Sequence, residues 1–200
     1  VGINWRHQKV GIIGCGNVGG ALYRRLKSQN VSLRCYDPFL TSAKNEDVTT
    51  LADVLACDVI CMHTPLTKSG QHPTYHLIGE TELALLKPGA VLINAGRGPV
   101  IDNTALLTAL KKGLHATVIL DVWEPEPAIN VELLEHVHIG TPHIAGYSYD
   151  GKLNGTEMIY QRCCHHFNQP FKHSLSQLVP PLNADVLRIP HTLNDPFSKV

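Results

Sequence analysis

The segment Gly14-Cys15-Gly16-Asn17-Val18-Gly19 stands between an apolar run, Lys9–Gly14, and a helical pattern, Val18–Lys27. The run predicts a buried strand and the pattern a helix, which is the setting that a G-x-G-x-x-G motif needs. In this setting the first glycine allows a tight turn, the second lets a pyrophosphate approach the backbone, and the third lets helix and strand pack closely. The free N–H groups of the first helical turn then bind the anion. The segment therefore predicts a dinucleotide-binding loop.

The acidic residue Asp37 follows the next apolar run, Ser32–Tyr36, and lies 18 residues beyond the last glycine of the loop. A carboxylate in this position accepts both hydroxyls of an adenosine ribose and repels a 2′-phosphate. No arginine follows directly, since Pro38 comes next. The sequence therefore favours NAD over NADP. The alternative is a glycine turn near a solvated aspartate.

Short apolar runs and helical patterns alternate over the first 145 residues. The runs are apolar on consecutive positions, which is typical of a parallel sheet covered on both faces. This order predicts an α/β fold, a doubly wound parallel sheet of the Rossmann type. The predicted strands are Lys9–Gly14, Ser32–Tyr36, Asp58–His63, Ala90–Asn94, Thr117–Asp121 and His136–Gly140. The predicted helices are Val18–Lys27, Leu51–Ala56, Glu80–Leu86, Asn103–Lys112 (capped by Asp102 and followed by Gly113), Val131–Glu135 and Gly151–Phe167.

The bulk composition argues against several classes of protein. The 17 Lys and Arg residues balance 17 Asp and Glu residues, so no global field attracts nucleic acid or an anionic membrane. The sequence contains no run of 18 apolar residues, so it predicts no membrane span. The run Cys163-Cys164-His165-His166 does not predict a metal site, because neighbouring residues on a helix point in different directions. We expect no bound metal, and reduced cysteines in a cytoplasmic protein.

Three polar segments directly follow the last three predicted strands of the sheet. Open α/β sheets bind their ligands at the carboxyl ends of their strands, so we expect these segments to line the same crevice as the glycine loop. They are Asn94-Ala95-Gly96-Arg97-Gly98, Asp121-Val122-Trp123-Glu124-Pro125-Glu126-Pro127 and Thr141-Pro142-His143-Ile144-Ala145-Gly146-Tyr147.

A catalytic set for a 2-hydroxy acid can be chosen from these segments. His143 can be the base for the hydroxyl proton, Arg97 can bind the carboxylate, and Glu126 can orient the imidazole. Singly, each has another interpretation: a structural histidine, a surface cation, a solvated turn residue. Their joint position after successive strands favours the catalytic interpretation. We interpret the other histidines, among them His72, His76, His136 and His138, as structural or solvated.

Taken in order, these motifs resemble the D-isomer-specific 2-hydroxyacid dehydrogenases over about residues 8–167. Within that family, His63-Thr64-Pro65-Leu66-Thr67-Lys68, Pro73-Thr74-Tyr75-His76-Leu77 and the stretch from His143 to Thr156 resemble members that oxidise a phosphorylated four-carbon 2-hydroxy acid in pyridoxal 5′-phosphate synthesis. The resemblance implies Arg97, Glu126 and His143 as catalytic residues and Tyr147 as a substrate contact. It implies NAD as cofactor, held by Gly14, Gly16, Asn17, Val18, Gly19, Asp37, Thr64, Ala95, Asp121 and Gly146.

The resemblance also implies a domain organisation. Residues 8–149 would form the NAD-binding domain, and residues 150–167 the helix that returns to a substrate lobe. Residues 168–200, which hold five of the 13 prolines and one strand-like run, Asp185–Ile189, would form a linker and the start of a truncated dimerisation domain. Because few residues precede the glycine loop, we expect the N-terminal substrate lobe to be missing. The parent enzyme is expected to be a homodimer acting on a small phosphorylated 2-hydroxy acid.

Three alternatives remain open at this point. The first is another dehydrogenase of the same family, acting on hydroxypyruvate, glyoxylate or phosphoglycerate. The second is a non-catalytic NAD-binding module, which would not need the Glu126 and His143 pair. The third is an inactive fragment.

Overall fold

The computed structural model describes residues 7–41 and 45–178. Six parallel strands form one sheet in the order β2-β1-β3-β4-β5-β6, and every neighbouring pair is parallel. The fold prediction is therefore confirmed: the chain has the doubly wound α/β architecture. The strands are β1 (Lys9–Ile13), β2 (Ser32–Tyr36), β3 (Val59–Met62), β4 (Ala90–Asn94), β5 (Ala116–Leu120) and β6 (Ile139–Gly140).

Helices connect these strands. The cap of α4 is as predicted, because the carboxylate of Asp102 accepts hydrogen bonds from the N–H groups of Thr104 and Ala105. Gly113, just beyond the end of α4, has a φ of 92°, which a glycine adopts without strain. The helices are α1 (Asn17–Lys27), α2 (Leu51–Leu55), α3 (Glu80–Leu83), α4 (Asn103–Lys111), α5 (Val131–His136), α6 (Tyr149–His166) and α7 (Leu175–Leu178), with a 3-10 turn at Gly98–Val100.

The core lies on both faces of the sheet. On one face, buried side chains of β1, β3, β4 and β5 pack with those of α2, α3, α4 and α5. On the other, β1, β2 and β3 pack against α1. Strands β1 and β3 are buried on consecutive positions, as predicted for a parallel sheet, whereas β4 and β5 alternate between buried and half-buried residues.

Several predicted boundaries are wrong by a few residues. The largest error concerns the last strand: His136 ends α5, and β6 contains only Ile139–Gly140. Nδ1 of His136 lies 2.8 Å from the carbonyl oxygen of Glu132, one helical turn earlier, and donates a hydrogen bond to it. The third helix ends at Leu83 rather than Leu86, and α6 begins at Tyr149 because Ser148 caps it. The short helix α7 was not predicted.

The chain divides into two compact units, Val1–Tyr147 and Ser148–Val200. The sheet and the predicted site residues belong to the first unit, and α6 and α7 to the second. The predicted run Asp185–Ile189 lies outside the described residues. Among the residues that the structure describes, no helix is both long and apolar enough to cross a membrane.

Candidate active site

The glycine loop lies where the strand order of the sheet reverses. The chain passes from β1 to β2 on one side and then returns to β3 on the other side of β1. Ligands of open α/β sheets bind at such a point, outside the carboxyl ends of the strands. Gly14 directly follows β1 and has a φ of 85°, and a Cβ atom on it would lie 2.9 Å from Thr64, which follows β3. The two loops are therefore in direct contact.

The second and third glycines of the motif play different structural parts. A Cβ atom on Gly19 would lie 1.9 Å from the carbonyl oxygen of Gly14, so only glycine lets α1 pack this closely on the loop. A Cβ atom on Gly16 would meet nothing within 4 Å. Because the protein leaves this space open, Gly16 is suited to a ligand that approaches the backbone.

Asp37 is bound to the glycine loop. Its carboxylate accepts hydrogen bonds from the N–H of Cys15 at 2.9 Å and from the N–H of Phe39 at 3.0 Å. The side chain is half-buried at the end of β2. The acid is thus held beside the predicted phosphate site, where the sequence expects it to meet the adenosine ribose.

Two observations fit a dinucleotide at this crevice. The hydroxyl Oγ1 of Thr64 is buried and has no hydrogen-bond partner in the described residues, although buried polar groups are normally paired. Val18, in the first turn of α1, is 64% exposed although it is apolar. A nucleotide bound over Gly16 would supply a partner for the first and a cover for the second, so the residues present fit NAD.

The loop after β4 carries Arg97 and is shaped by Asn94. The buried side chain of Asn94 accepts a hydrogen bond from the N–H of Gly96 and donates one to the carbonyl of Arg97, both 3.1 Å long. The exposed guanidinium of Arg97 donates to the Gly96 carbonyl at 2.7 Å. A guanidinium has five N–H donors, more than this bond uses, so it keeps the capacity to bind a carboxylate.

The loop after β5 holds Glu126 in a fixed orientation. One oxygen of its carboxylate, Oε1, accepts a hydrogen bond from the N–H of Trp123 at 2.9 Å. The indole of Trp123 donates in turn to the carbonyl of Thr141 at 2.9 Å, across to the loop after β6. A Cβ atom on Gly98 would lie 1.8 Å from the carbonyl oxygen of Trp123, so the loop after β4 packs against this backbone as well. Trp123 therefore joins three strand-end loops.

His143 and Glu126 form the pair that the sequence predicts. Nδ1 of His143 lies 2.8 Å from Oε2 of Glu126, and both side chains are partly exposed to solvent. A carboxylate accepts hydrogen bonds, so the neutral imidazole carries its proton on Nδ1 and presents an unprotonated Nε2. His143 has a φ of 57°, the left-handed region that non-glycine residues enter only where the surroundings hold them.

Asp121 provides that hold on the His143 loop. Its buried carboxylate accepts hydrogen bonds from the Thr141 hydroxyl at 2.5 Å, the Ile144 N–H at 2.8 Å and the Ala145 N–H at 2.9 Å. Burial raises the pKa of Asp121, but these donors, together with the charge of a protonated His143, lower it further, so the net pKa lies below the ordinary value. The family resemblance implies Asp121 as one of the residues that hold NAD, and that assignment stays a prediction.

The remaining predicted residues lie on the same strand-end loops. Ala95 is half-buried beside Gly96, and a Cβ atom on Gly96 would lie 3.3 Å from the carbonyl oxygen of Thr64. Gly146 has open space where a side chain would be, and Tyr147 is 67% exposed. The structure thus brings the predicted cofactor and catalytic residues to one edge of the sheet. Their roles stay predictions.

Some residues that shape the site were not predicted. Asn94 could have been found, because it is the only polar residue in the apolar run Ala90–Asn94. The bonds of Trp123 join positions 18 residues apart in the chain, and no sequence pattern signals them. Among the described residues, no group of three or more His, Cys, Asp and Glu side chains could hold a metal ion.

Comparison with known proteins identifies the family. Residues 1–145 match the family described as "D-isomer specific 2-hydroxyacid dehydrogenase, NAD binding domain". The chain belongs to this family. A relative from Cellvibrio japonicus, named erythronate-4-phosphate dehydrogenase, is 64% identical over 185 residues, which are 92% of this chain and 49% of that protein. The chain therefore spans about half the length of this curated relative.

Solved structures of D-2-hydroxyacid dehydrogenases have the same fold. A D-lactate dehydrogenase from Treponema pallidum aligns with a TM-score of 0.68 and 30% identity, over 85% of this chain and 56% of that one. A D-lactate dehydrogenase from Aquifex aeolicus, solved in complex with NAD and lactic acid, aligns with a TM-score of 0.65 and 29% identity, over 80% and 54% of the two chains. The cofactor of the domain is NAD, as the sequence predicts.

Proposed function

We propose that this chain is the NAD-binding half of an enzyme that oxidises 4-phospho-D-erythronate at C2 to 3-hydroxy-2-oxo-4-phosphooxybutanoate, in pyridoxal 5′-phosphate synthesis. The observation that carries the dehydrogenase chemistry is the 2.8 Å contact between Nδ1 of His143 and Glu126, at the ligand-binding edge of the sheet. The substrate is inferred from the 64% identity to a protein named erythronate-4-phosphate dehydrogenase.

In this proposal each catalytic residue has one task. His143 takes the proton of the substrate hydroxyl at Nε2, because its Nδ1–H is engaged by Glu126. Glu126 stabilises the imidazolium that results and keeps the ring in place. Arg97 binds the substrate carboxylate through its guanidinium, and Tyr147 contacts the remainder of the substrate. When bound, the nicotinamide of NAD accepts the hydride from C2 of the hydroxy acid.

The replacement His143→Asn tests the role of His143. Asparagine is one of the few residues that tolerate a φ of 57°, so the backbone of the loop is retained. We expect kcat of the full-length enzyme to fall by about 10²–10⁴, the usual contribution of a general base. The affinity of the chain for NADH should stay unchanged, because the glycine loop is not altered. His136→Asn, an exposed position at the end of α5, is the matched control. Undiminished turnover in His143→Asn would remove His143 from the mechanism.

The substrate is tested with the full-length gene product that carries this chain. Initial rates of NADH formation are compared for 4-phospho-D-erythronate, D-glycerate and 3-phosphoglycerate. We expect the highest kcat/KM with the phosphorylated four-carbon acid. Equal or higher values for the three-carbon acids would assign the chain to another dehydrogenase of the family, and binding of NADH without turnover of any acid would indicate a non-catalytic module.

We further propose that the full-length enzyme is a cytoplasmic homodimer. All six cysteines are free thiols, which suits a reducing compartment. The homodimer rests on the family resemblance. Sedimentation of the full-length protein at micromolar concentration tests it, and a monomer would contradict it.

A further inference from the structure

A second pair of a histidine and a carboxylate joins His76, after β3, to Glu124, which lies on the loop that carries Glu126. Nε2 of His76 lies 3.0 Å from Oε1 and 2.9 Å from Oε2 of Glu124, two residues before Glu126. Nδ1 of His76 lies 3.6 Å from Oδ2 of Asp102, the cap of α4. The imidazole is also stacked on the ring of Tyr75, with 3.9 Å between the ring centroids. The ring is therefore held on three sides.

The backbone of His76 is fixed as firmly as its ring. Its N–H donates to the carbonyl of Pro99 at 2.8 Å, and its φ is 52°, in the left-handed region. His76 thus connects three loops: its own, which follows β3; the segment from Pro99 to Asp102, which follows β4; and the segment at Glu124, which follows β5. These three loops carry Thr64, Arg97 and Glu126.

Glu124 is the link from His76 to the catalytic pair. Its own N–H donates to the side chain of Asn103 at 3.1 Å, and the preceding residue, Trp123, donates its N–H to Glu126. Glu124 is therefore held by its side chain at His76 and by its backbone at α4. With both ends of this short segment fixed, the carboxylate of Glu126 faces Nδ1 of His143.

We propose that His76 is a positioning residue, which acts through Glu124 to keep the carboxylate of Glu126 behind His143. It does not touch substrate or cofactor in this role. The inference rests on the proposed function only in so far as the His143–Glu126 contact serves proton transfer. The contact itself can be measured without any substrate.

The test is the tautomer of His143, read from ring ¹⁵N chemical shifts of the histidine-labelled chain at about pH 9, where ordinary imidazoles are neutral. Glu126→Ala, which has no acceptor for the Nδ1–H, defines the spectrum of the lost contact, and His143→Asn assigns the signals. In the unaltered chain the proton should reside on Nδ1, which Glu126 accepts. In His76→Ala we expect the ratio of the Nδ1–H to the Nε2–H form of His143 to fall by about fivefold, which is the size of effect typical of residues in one hydrogen-bond network.

Two replacements separate the side chain of His76 from its backbone. His76→Gln keeps an N–H donor at the distance of Nε2 and should restore the Nδ1–H form. His76→Asn tolerates the left-handed backbone but is too short to reach Glu124, so it should behave like alanine. Glu124→Ala should reproduce the His76→Ala spectrum, and the double variant should add nothing to either single one.

Three results would overturn the inference. His76→Ala could leave the tautomer ratio of His143 unchanged, or His76→Gln could lower that ratio as much as His76→Ala does. The effects of His76→Ala and Glu124→Ala on the ratio could also be additive in the double variant. The affinity for NADH should be equal in all variants, because His76 makes none of the contacts that shape the glycine loop. A loss of NADH affinity that accompanies the change in tautomer would indicate general disruption of the fold and would also overturn the inference. In the full-length enzyme, His76→Ala should lower kcat while KM for NAD stays the same. Failure to oxidise 4-phospho-D-erythronate would refute the proposed substrate and leave the NMR result standing.

Discussion

Among single residues, Asp121 has the widest influence on the site although the proposed chemistry gives it no proton to transfer. Its three hydrogen bonds hold the segment from Thr141 to Ala145, and the carbonyl of the same residue accepts the N–H of His143 at 2.8 Å. The left-handed backbone of His143 is stable because Asp121 holds both sides of it. Aspartate at this position therefore fixes the geometry of His143, the proposed general base.

We expect Asp121→Asn to lower the free energy of unfolding by about 1–3 kcal/mol at pH 7, because the amide NH₂ would face the Ala145 N–H and leave a buried donor unpaired. The pKa of Asp121 is below its ordinary value of 3.8, so its stabilisation is complete above that pH and is lost as the pH falls through the lower, folded-state pKa. Urea unfolding at a series of pH values measures this. The free energies of unfolding of the unaltered chain and of Asp121→Asn should become equal in acid. A difference that grows as the pH falls would contradict a stabilising role for the Asp121 carboxylate.

The glycines of the loop allow a prediction with an internal control. Gly19→Ala places a methyl group 1.9 Å from the Gly14 carbonyl oxygen, so the loop must shift, and we expect a loss of about 1–3 kcal/mol of stability together with NADH binding. Gly16→Ala meets no protein atom and has a φ of −69°, so thermal stability should be unchanged while NADH affinity falls. Thermal unfolding and NADH fluorescence titration measure both. Unchanged NADH affinity in Gly16→Ala would place the pyrophosphate elsewhere.

The sequence was sufficient to choose candidate residues that the structure brings to one edge of the sheet, but not the contacts that hold them. Arg97, Glu126 and His143 were chosen as catalytic candidates because they follow successive strands of one sheet, and their roles stay predictions. The bond from Trp123 to Thr141 and the contact of His76 with Glu124 join residues far apart in the chain, and His76 was interpreted only as structural or solvated. Such contacts depend on three-dimensional packing of loops, which leaves no periodic signal in the sequence.

At the level of elements, existence was predictable and boundaries were not. All six strands were found; consecutive apolar residues marked buried parallel strands such as β1 and β3, whereas β6 is exposed. Strand β6 is shorter than predicted, because only Ile139 and Gly140 pair with β5 and because His136 is the last residue of α5. The helix α7 was missed because its four residues, Leu175–Leu178, are too few to show a helical period.

The cap of α4 supports a prediction for that helix. Asp102→Ala removes the acceptor for two backbone N–H groups, and we expect a loss of about 1 kcal/mol. Asp102→Asn keeps a capping oxygen and should cost little. Chemical denaturation of the three proteins provides the comparison, and equal losses in both variants would show that the charge, not the cap, matters.

For the whole molecule, cofactor binding should appear as thermal stabilisation. NADH at a hundredfold excess over its Kd should add about 2.7 kcal/mol, which raises Tm by about 5–10 °C for a chain of this size. NADPH at the same concentration should stabilise less, because the carboxylate of Asp37 repels a 2′-phosphate. Asp37→Asn should reduce the difference between the stabilisation by NADH and that by NADPH. Equal stabilisation by both cofactors in the unaltered chain would contradict the preference for NAD.

The two edge strands of the sheet, β2 and β6, bear on how readily the chain can aggregate. At one end, residues 47–49 cover β2: the N–H of Cys35 donates to the carbonyl of Asp47, and the N–H of Thr49 donates to the carbonyl of Cys35, each at 2.8 Å. At the other edge, β6 is only two residues long, and both are exposed within the part of the chain that the structure describes. Long bare edges are what recruit strands from other molecules and start aggregation. Because residues 47–49 cover β2 and β6 is only two residues long, the sheet offers little template for the addition of strands from other molecules.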